Sequence, residues 1–561
     1  DSKTGATRKP NLCRGAESSS AGFNVNPINP VDLLAGTRST SDVASDQTQA
    51  ADKTSIAEAS EKAATAYASL RAMRSLSQAD VDRIVAATAK AVVPEAGRLA
   101  ELAHRESGFG NVADKTTKNL FASERVASHI APLKSVGILR ENGASGITEI
   151  GEPMGVVAAI IPSTNPTSTA IFKVLISIKA RCPIVLSPHP SARNCVVESF
   201  RVLEAAARAS GLPEGAIQCL ETVSLAATEA LMKSRQTAVI LATGGIGLVR
   251  AAYSSGKPAY GVGPGNVPVY VHASADTGRA VRDVIAGKSF DFGTLCSSEQ
   301  ALVFDASISG AVFKALDIEK VHVLSDDEAS RISRWVIGER GIVNAKAVGR
   351  SPQALAEAVG FKVADGTRAL AARVSGVGRE YPLSAEKLCP VLAVYEVADA
   401  TEGIRRCQEL LAFGGTGHTA GIHAADEDLL RRFALAQPAS RIIANSQTSM
   451  GATGHTTALE PSLSLGCGAA AGNITSDNIT PLHLINIKRL ARVRPTVGAP
   501  AVAGSVTSSA SRMETVDFVC EDDVVRARRD GRRIFLGPKA LVTPAAQDAA
   551  QGCDVLVRPR D

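Results

Sequence analysis

Residues 155–189 read GVVAAIIPSTNPTSTAIFKVLISIKARCPIVLSPH, and their alternation sets the architecture. The apolar run 155–162, bounded by Gly and Pro, has the form of a strand buried on both faces. STAIFKVLISIKA (168–180) then reads as a helix, PIVLSPH (183–189) as a second strand and VVESFRVLEAAARA (196–209) as a second helix. After a further helix, AVILAT (238–243) and PAYGVG (258–263) repeat the strand signal. Buried strands alternating with helices predict a parallel sheet covered on both faces. Such sheets bind ligands beyond the carboxyl ends of their strands. The loops PSTNPTS, SPHP, TGGIG and GVGPGN are therefore the places to look for chemistry.

On the amino-terminal side, residues 1–50 are rich in Ser, Thr, Ala, Asp and Asn and read as a flexible arm. Ile56, Ala59, Ala63, Tyr67, Leu70 and Met73 recur every three or four positions and predict an amphipathic helix. Ser77 and Asp80 have capping-box spacing before Val81, Ile84 and Val85, which start the next helix. GILRENGASGITEIGE (137–152) places Asn142-Gly143 and Ser145-Gly146 between β-prone pieces, a hairpin signal. On the other side, VPVYV (267–271), ALVF (301–304) and VLAVY (391–395) mark a second α/β region, and TAGI between His418 and His423 reads as another strand. Residues 461–491 are loop-rich, then helical or extended. Residues 492–512 form a Pro/Ala/Ser/Gly linker. Beyond it, EDDVVRARRDGRR predicts one short helix, and IFLGPKALVTP a strand, a turn and a strand.

At 561 residues, 45% of them hydrophobic, the chain has ample material for several domains. A net charge of +5 and only 4% aromatics argue against a nucleic-acid platform. The longest apolar run, 154–162, falls far short of the roughly 20 residues of a membrane helix, so no membrane span is expected. No hydrophobic signal segment opens the sequence, and a cytoplasmic location is expected. Ten cysteines without a C-x-x-C pair and nine histidines without H-E-x-x-H spacing predict neither a disulfide scaffold nor a metal site.

Three features carry chemistry. Cys296, in SFDFGTLCSSEQ (289–300), lies among Thr294, Ser297 and Ser298 rather than large apolar residues, which suits an approachable nucleophilic thiol or a plain loop cysteine. TGGIG (243–247) follows a strand and opens a helix, as a phosphate cradle or an ordinary strand-to-helix turn would. Asn165 precedes a helix after another strand. It either caps that helix, shapes the turn before Pro166, or offers its amide N–H to a developing oxyanion.

The sequence resembles the aldehyde dehydrogenase superfamily, and within it the CoA-acylating branch found in bifunctional aldehyde–alcohol dehydrogenases. The likeness rests on PSTNPTSTAIFK (162–173), ILATGGIGLVRAAYSSGKPAYGVGPGN (240–266), KSFDFGTLCSSEQ (288–300), EKLCPVLAVY (386–395), GGTGHTAGIH (414–423) and PSLSLGCGAAAGNITSDNITPLHLINIKRLA (461–491). It implies an α/β aldehyde dehydrogenase fold with a Rossmann-like cofactor domain, an α/β catalytic domain and a β-hairpin oligomerisation arm. The implied boundaries are a flexible arm 1–50, a cofactor-binding domain 51–265 with the hairpin 137–152 inserted, and a catalytic domain 266–455. A return segment 456–491, the linker 492–512 and a small extension 513–561 complete the chain. By the same resemblance Cys296 is the nucleophile, and Asn165 with the Cys296 backbone N–H forms the oxyanion hole. Glu386 holds the nicotinamide ribose, and Thr243, Gly244 and Gly245 lie near the phosphates of NAD, or of NADP as the alternative. Coenzyme A is the co-substrate.

Two departures refine this reading. Where hydrolytic relatives carry the glutamate that activates water, GVGPGN begins with Gly261. Water has a pKa of about 15.7 and a thiol about 8.5, a gap of about 10 kcal/mol in deprotonation. Loss of the glutamate therefore handicaps hydrolysis far more than thiolysis by CoA. Within LSPHP, Ser187 stands where a lysine often meets the adenosine ribose or phosphate in hydrolytic relatives and is kept as a cofactor-binding candidate, and His189 either takes over that contact or starts the next helix. The reading is a reversible oxidation of a short aldehyde, acetaldehyde or propionaldehyde, to its acyl-CoA. The alternatives are a sulfoacetaldehyde dehydrogenase or an inactive cargo or scaffold protein of the same fold. The resemblance also implies a homodimer or dimer of dimers. The extension 513–561, similar to short segments on proteins of bacterial microcompartments, is a candidate handle for a shell or cargo partner there, or else a small appended domain on a flexible linker or a solvated charged helix.

Overall fold

The computed structural model describes residues 40–338, 341–493 and 515–558. They fall into two units, one closing at Ala491 and one opening at Arg492. In the first unit, the hairpin signal becomes strands β1 (Gly137–Asn142) and β2 (Ile147–Pro153), paired antiparallel. The strand Ile485–Ala491 pairs antiparallel with the other edge of β2, so the return segment ends extended.

Strands β3 (Val156–Ile161), β4 (Ile184–Pro188), β5 (Ile217–Cys219), β6 (Thr237–Thr243) and β7 (Ala259–Val262) form a wholly parallel sheet in the order β5-β4-β3-β6-β7. The unbroken apolar run of β3 is explained by its two faces. Val157, Ala159 and Ile161 pack into a core with Phe172, Leu175 and Val196 from the helices Pro166–Lys179 and Arg193–Ala209. Val156, Ala158 and Ile160 enter a second core with Ala59, Ala63 and Leu231. The chain lays down β3, β4 and β5 in one direction, then returns to place β6 and β7 on the other side. The crevice outside β3 and β6, where the direction reverses, is the ligand position of such a sheet.

Strands β8 (Val267–Val271), β9 (Glu299–Asp305), β10 (Val321–Val323), β11 (Ala369–Arg373), β12 (Val391–Val397), β13 (Gly417–His423) and β14 (Ala439–Ala444) make a second parallel sheet, ordered β10-β11-β12-β9-β8-β13-β14. Cys296 sits three residues ahead of β9, at the amino end of a central strand. The active loop of the second sheet thus meets the carboxyl edge of the first.

Three expectations need correction. The first helix spans Thr40–Ser75, so helix begins inside the arm expected over 1–50; residues 1–39 of that arm lie outside the described residues. Its buried face is Ala59, Ala63, Ala66, Leu70 and Met73, whereas Tyr67 is 55% exposed, because the small alanines are what allow close approach to the sheet. IFLGPKALVTP does not fold as strand, turn and strand. Ile534–Val542 is one strand through Gly537-Pro538, paired parallel with Val516–Val519 and Leu556–Val557, which leaves no chain reversal for the turn to make. The expected short helix is Glu521–Arg529, packed on this small sheet through Val524 and Ala527. Most of the linker 492–512 lies outside the described residues.

Phe172, fully buried where the helix Pro166–Lys179 meets β3, tests this packing. Phe172→Ala should cost about 3–5 kcal/mol through lost burial and cavity formation, read as a lowered thermal midpoint in calorimetry.

Candidate active site

The loops after β3, β4, β6 and β7 and the turn before β9 enclose a cleft of about 420 Å³. Cys296, Asn165, Thr243, Gly244, Gly245, His189 and Glu386 all line it. Ser187 does not: it is fully buried, and its hydroxyl lies 2.9 Å from that of Thr228. The site proposed for Ser187 at a ribose is thus not on the cleft surface, because its strand turns the side chain into the sheet face beneath Leu225–Lys233. His189 caps the next turn through Nδ1, which accepts from the Ser191 N–H at 3.2 Å.

The Cys296 loop is held from below. Phe290–Gly293 is an irregular turn in which Asp291 (φ 47°) and Phe292 (φ 52°) take the left-handed conformation. Ser297 and Ser298 are buried rather than open. The Ser297 hydroxyl donates to Ser449 O at 2.9 Å, the Thr448 hydroxyl donates to Ser297 O at 2.9 Å, and the Thr448 N–H reaches Glu299 Oε1 at 2.5 Å. Cys296 itself faces the cleft. Burial, then the Glu386 carboxylate, pushes its thiol up to about 12, so the resting sulfur is protonated. Glu386 accepts the Gly265 N–H at 3.0 Å, and burial raises its carboxyl to about 7.

Asn165 is built into a polar cluster. Its Oδ1 accepts from Lys118 Nζ at 2.6 Å, and its Nδ2 donates to Thr164 Oγ1 at 3.1 Å and toward Thr294 O at 3.4 Å. It makes no side-chain cap for the helix that follows, so the expected capping role is not what its amide does. Lys118 and Lys115, one turn apart on the helix Val112–Leu120, both pair with the buried Asp291.

The Thr243 hydroxyl, at the end of β6, is buried and has no partner in the protein. Gly245 opens the helix Ile246–Tyr253 with open space where a Cβ would stand. An orphaned donor, a bare helix N-terminus and a crevice at the chain reversal together suit the phosphates of a dinucleotide.

The residues 37–331 match the aldehyde dehydrogenase family model. The chain belongs to the aldehyde dehydrogenase family. It is 43% identical over 407 residues to the aldehyde-alcohol dehydrogenase of Streptococcus pneumoniae, a match covering 71% of this chain and 46% of that one. The chain thus spans about half the length of such relatives. It is 35% identical over 439 residues to the acetylating succinate-semialdehyde dehydrogenase of Clostridium kluyveri, covering 78% of this chain and 96% of the relative. The crystal structure of an acetylating aldehyde dehydrogenase from Geobacillus thermoglucosidasius superposes with a TM-score of 0.78 at 47% identity, covering 82% of this chain and 99% of the other. The architecture is the aldehyde dehydrogenase fold.

In this aldehyde dehydrogenase Gly261, next to last in β7, has no side chain. A Cβ there would stand 2.7 Å from Val249 Cγ1 and 3.0 Å from the Tyr253 ring, and the Tyr253 hydroxyl receives the Gly261 N–H at 3.0 Å. A larger side chain at this position would meet Val249 and Tyr253 at once. The carboxylate that does face Cys296, Glu386, arrives instead from the loop before β12.

Sequence reasoning missed Lys115, Lys118, Asp291 and His418. The lysines look like a solvated helix face, and only their i, i+3 spacing hints at a shared partner. In the sequence His418 marks only the flank of a strand. It is fully buried and kept neutral by burial, and its Nε2 is without a partner. A Cβ on Gly265 would lie 2.1 Å from Cys296 O and 2.9 Å from His418 Nδ1. Gly265→Ala should therefore displace the nucleophile loop and lower kcat by about a hundredfold, measured by NADH formation in protein that still melts cooperatively.

Proposed function

We propose that this aldehyde dehydrogenase is CoA-acylating. It converts a short uncharged aldehyde, acetaldehyde or propionaldehyde, with NAD(P)+ and CoA into acyl-CoA and NAD(P)H. The observation that carries this reading is the pairing of a cleft-facing Cys296 with a Gly261 whose side-chain space is closed by Val249 and Tyr253. The acetylating relatives point the same way.

Thr243, Gly244, Gly245 and Glu386 would hold the dinucleotide, which supplies the hydride acceptor when bound. The Cys296 thiol loses its proton and its sulfur bonds to the aldehyde carbon, giving a thiohemiacetal. Asn165 Nδ2 and the Cys296 backbone N–H stabilise the oxyanion. Hydride loss leaves an acyl thioester on Cys296. The CoA thiol, deprotonated, then attacks the same carbon and expels the Cys296 sulfur. Glu386, raised to about 7, is the cleft group facing the thiol that changes charge near neutral pH, and it serves as the proton acceptor.

Among the described residues, the cleft lining contains no lysine or arginine. A sulfonate would enter without a counter-charge, which favours the uncharged aldehyde over sulfoacetaldehyde and NAD over NADP. Retention of Cys296, Asn165 and Glu386 together in one cleft favours an active enzyme over a scaffold protein. The exposed Ile138, Ile487 and Leu490 of the three-stranded sheet support a homodimer or dimer of dimers formed through it. Phe518 and Leu541, exposed neighbours across two strands of the C-terminal unit, support its use as a docking handle in a microcompartment.

A panel of acetaldehyde, propionaldehyde and sulfoacetaldehyde with CoA and each nicotinamide cofactor tests the reading. Acyl-CoA should form from the uncharged aldehydes and vanish in Cys296→Ala; turnover by that variant would refute the assignment. As a base, Glu386 works only when ionised, so kcat/KM should rise with pH through about 7, and Glu386→Gln should remove that limb.

A further inference from the structure

We infer that Lys118 is a positioning residue for the oxyanion donor: its ammonium fixes Asn165 so that the amide N–H, and not the amide oxygen, faces the nucleophile loop. The inference rests on the acylating reading above and deepens it.

An ammonium donates and never accepts, so the Asn165 atom 2.6 Å from Lys118 Nζ has to be its oxygen. With that end tied, the NH2 group is turned toward Thr294 O, two residues before Cys296. A charge-assisted bond to the amide oxygen also polarises the amide and strengthens its N–H as a donor. Lys118 has the right valence for this. Its three protons meet the Asp291 carboxylate, Asn165 Oδ1 and, at 3.5 Å, the Thr294 hydroxyl. That hydroxyl donates in turn to Asp291 Oδ2 at 2.7 Å, so one carboxylate secures both the lysine and the loop.

The charges around Lys118 are Lys115 and Asp114 on its own helix and Asp291 on the facing loop. Lys118 is 3% exposed and Asp291 is fully buried, with Lys115 at 3.0 Å and the Asn111 N–H at 2.8 Å as further partners of the carboxylate. Both lysines pair with Asp291, more than its neutralisation requires, and Asp114, the other carboxylate nearby, accepts from the Asn111 amide and the Asp291 N–H rather than from a lysine. Lys115 already serves that need, while its remaining contact is the Thr164 carbonyl at 3.1 Å rather than Asn165. The second cation is thus explained by the amide it holds.

A double-mutant cycle with acetaldehyde, CoA and NAD+ tests this. Lys118→Met keeps Asp291 paired with Lys115, so the fold should survive, and thermal melting checks it. kcat should fall by about tenfold with KM for acetaldehyde within about twofold, because the contact acts on the transition state. In an Asn165→Ala background, itself slowed by about a hundredfold, the further loss from Lys118→Met should disappear. Lys115→Met, which spares the amide contact, should lower kcat by less than Lys118→Met does, and its loss should persist in the Asn165→Ala background. Equal losses from the two lysine variants, or additive losses in the cycle, would overturn the inference. Wild-type protein that forms no acetyl-CoA would instead overturn the acylating reading, which separates the two failures.

Discussion

A thiol that burial keeps protonated, facing a carboxyl group that burial keeps near neutrality, is the constraint around which the cleft is arranged. Charge on Cys296 is costly until substrate chemistry consumes it, so the surrounding protein is organised to receive charge rather than to hold it at rest. The same desolvation holds His418 neutral and lowers Lys118 to about 8. Gly261 offers no side chain that could activate water, and the proposed acyl acceptor is a thiol, which ionises more readily than water does.

The fold makes this possible by bringing two unlike sheet edges together. The first sheet contributes the ends of β3 and β6, where its chain order reverses. The second contributes the turn leading into β9. Neither edge holds the turn alone. The helix Val112–Leu120 reaches across through Lys115 and Lys118, and the Asp291 carboxylate joins it to a backbone in the left-handed conformation. Such a conformation costs about 1–3 kcal/mol per residue, and the buried ion pairs and the Asn111 N–H hold it in place.

Much of this was legible in the sequence. The run 155–162 announced a strand with two buried faces because no polar residue interrupts it. The loops after β3, β4, β6 and β7 followed from the parallel topology, and all four contribute to the cleft. Strands β10, β11 and β14 were not legible. They are short, and in ALAAR the alanines carry little β signal. Ser187 was placed by likeness at a ligand, but side-chain alternation turns it inward to Thr228, and a one-residue choice of face is settled only by register. The Lys118–Asp291–Asn165 cluster joins residues as far as 173 positions apart, so helix periodicity alone describes Lys118 as a surface lysine. In the C-terminal extension the Gly-Pro pair mimicked a turn because composition does not reveal which strand partners are available.

The fate of the bond on Cys296 tests the account most directly. Wild-type enzyme given acetaldehyde and NAD+ without CoA should release one equivalent of NADH per site. Mass spectrometry should then find a persistent acetyl group on the Cys296 peptide, discharged as acetyl-CoA when CoA is added. Continuous NADH release with accumulating acetate in the absence of CoA would contradict the account, because it would mean that water is activated in this cleft after all.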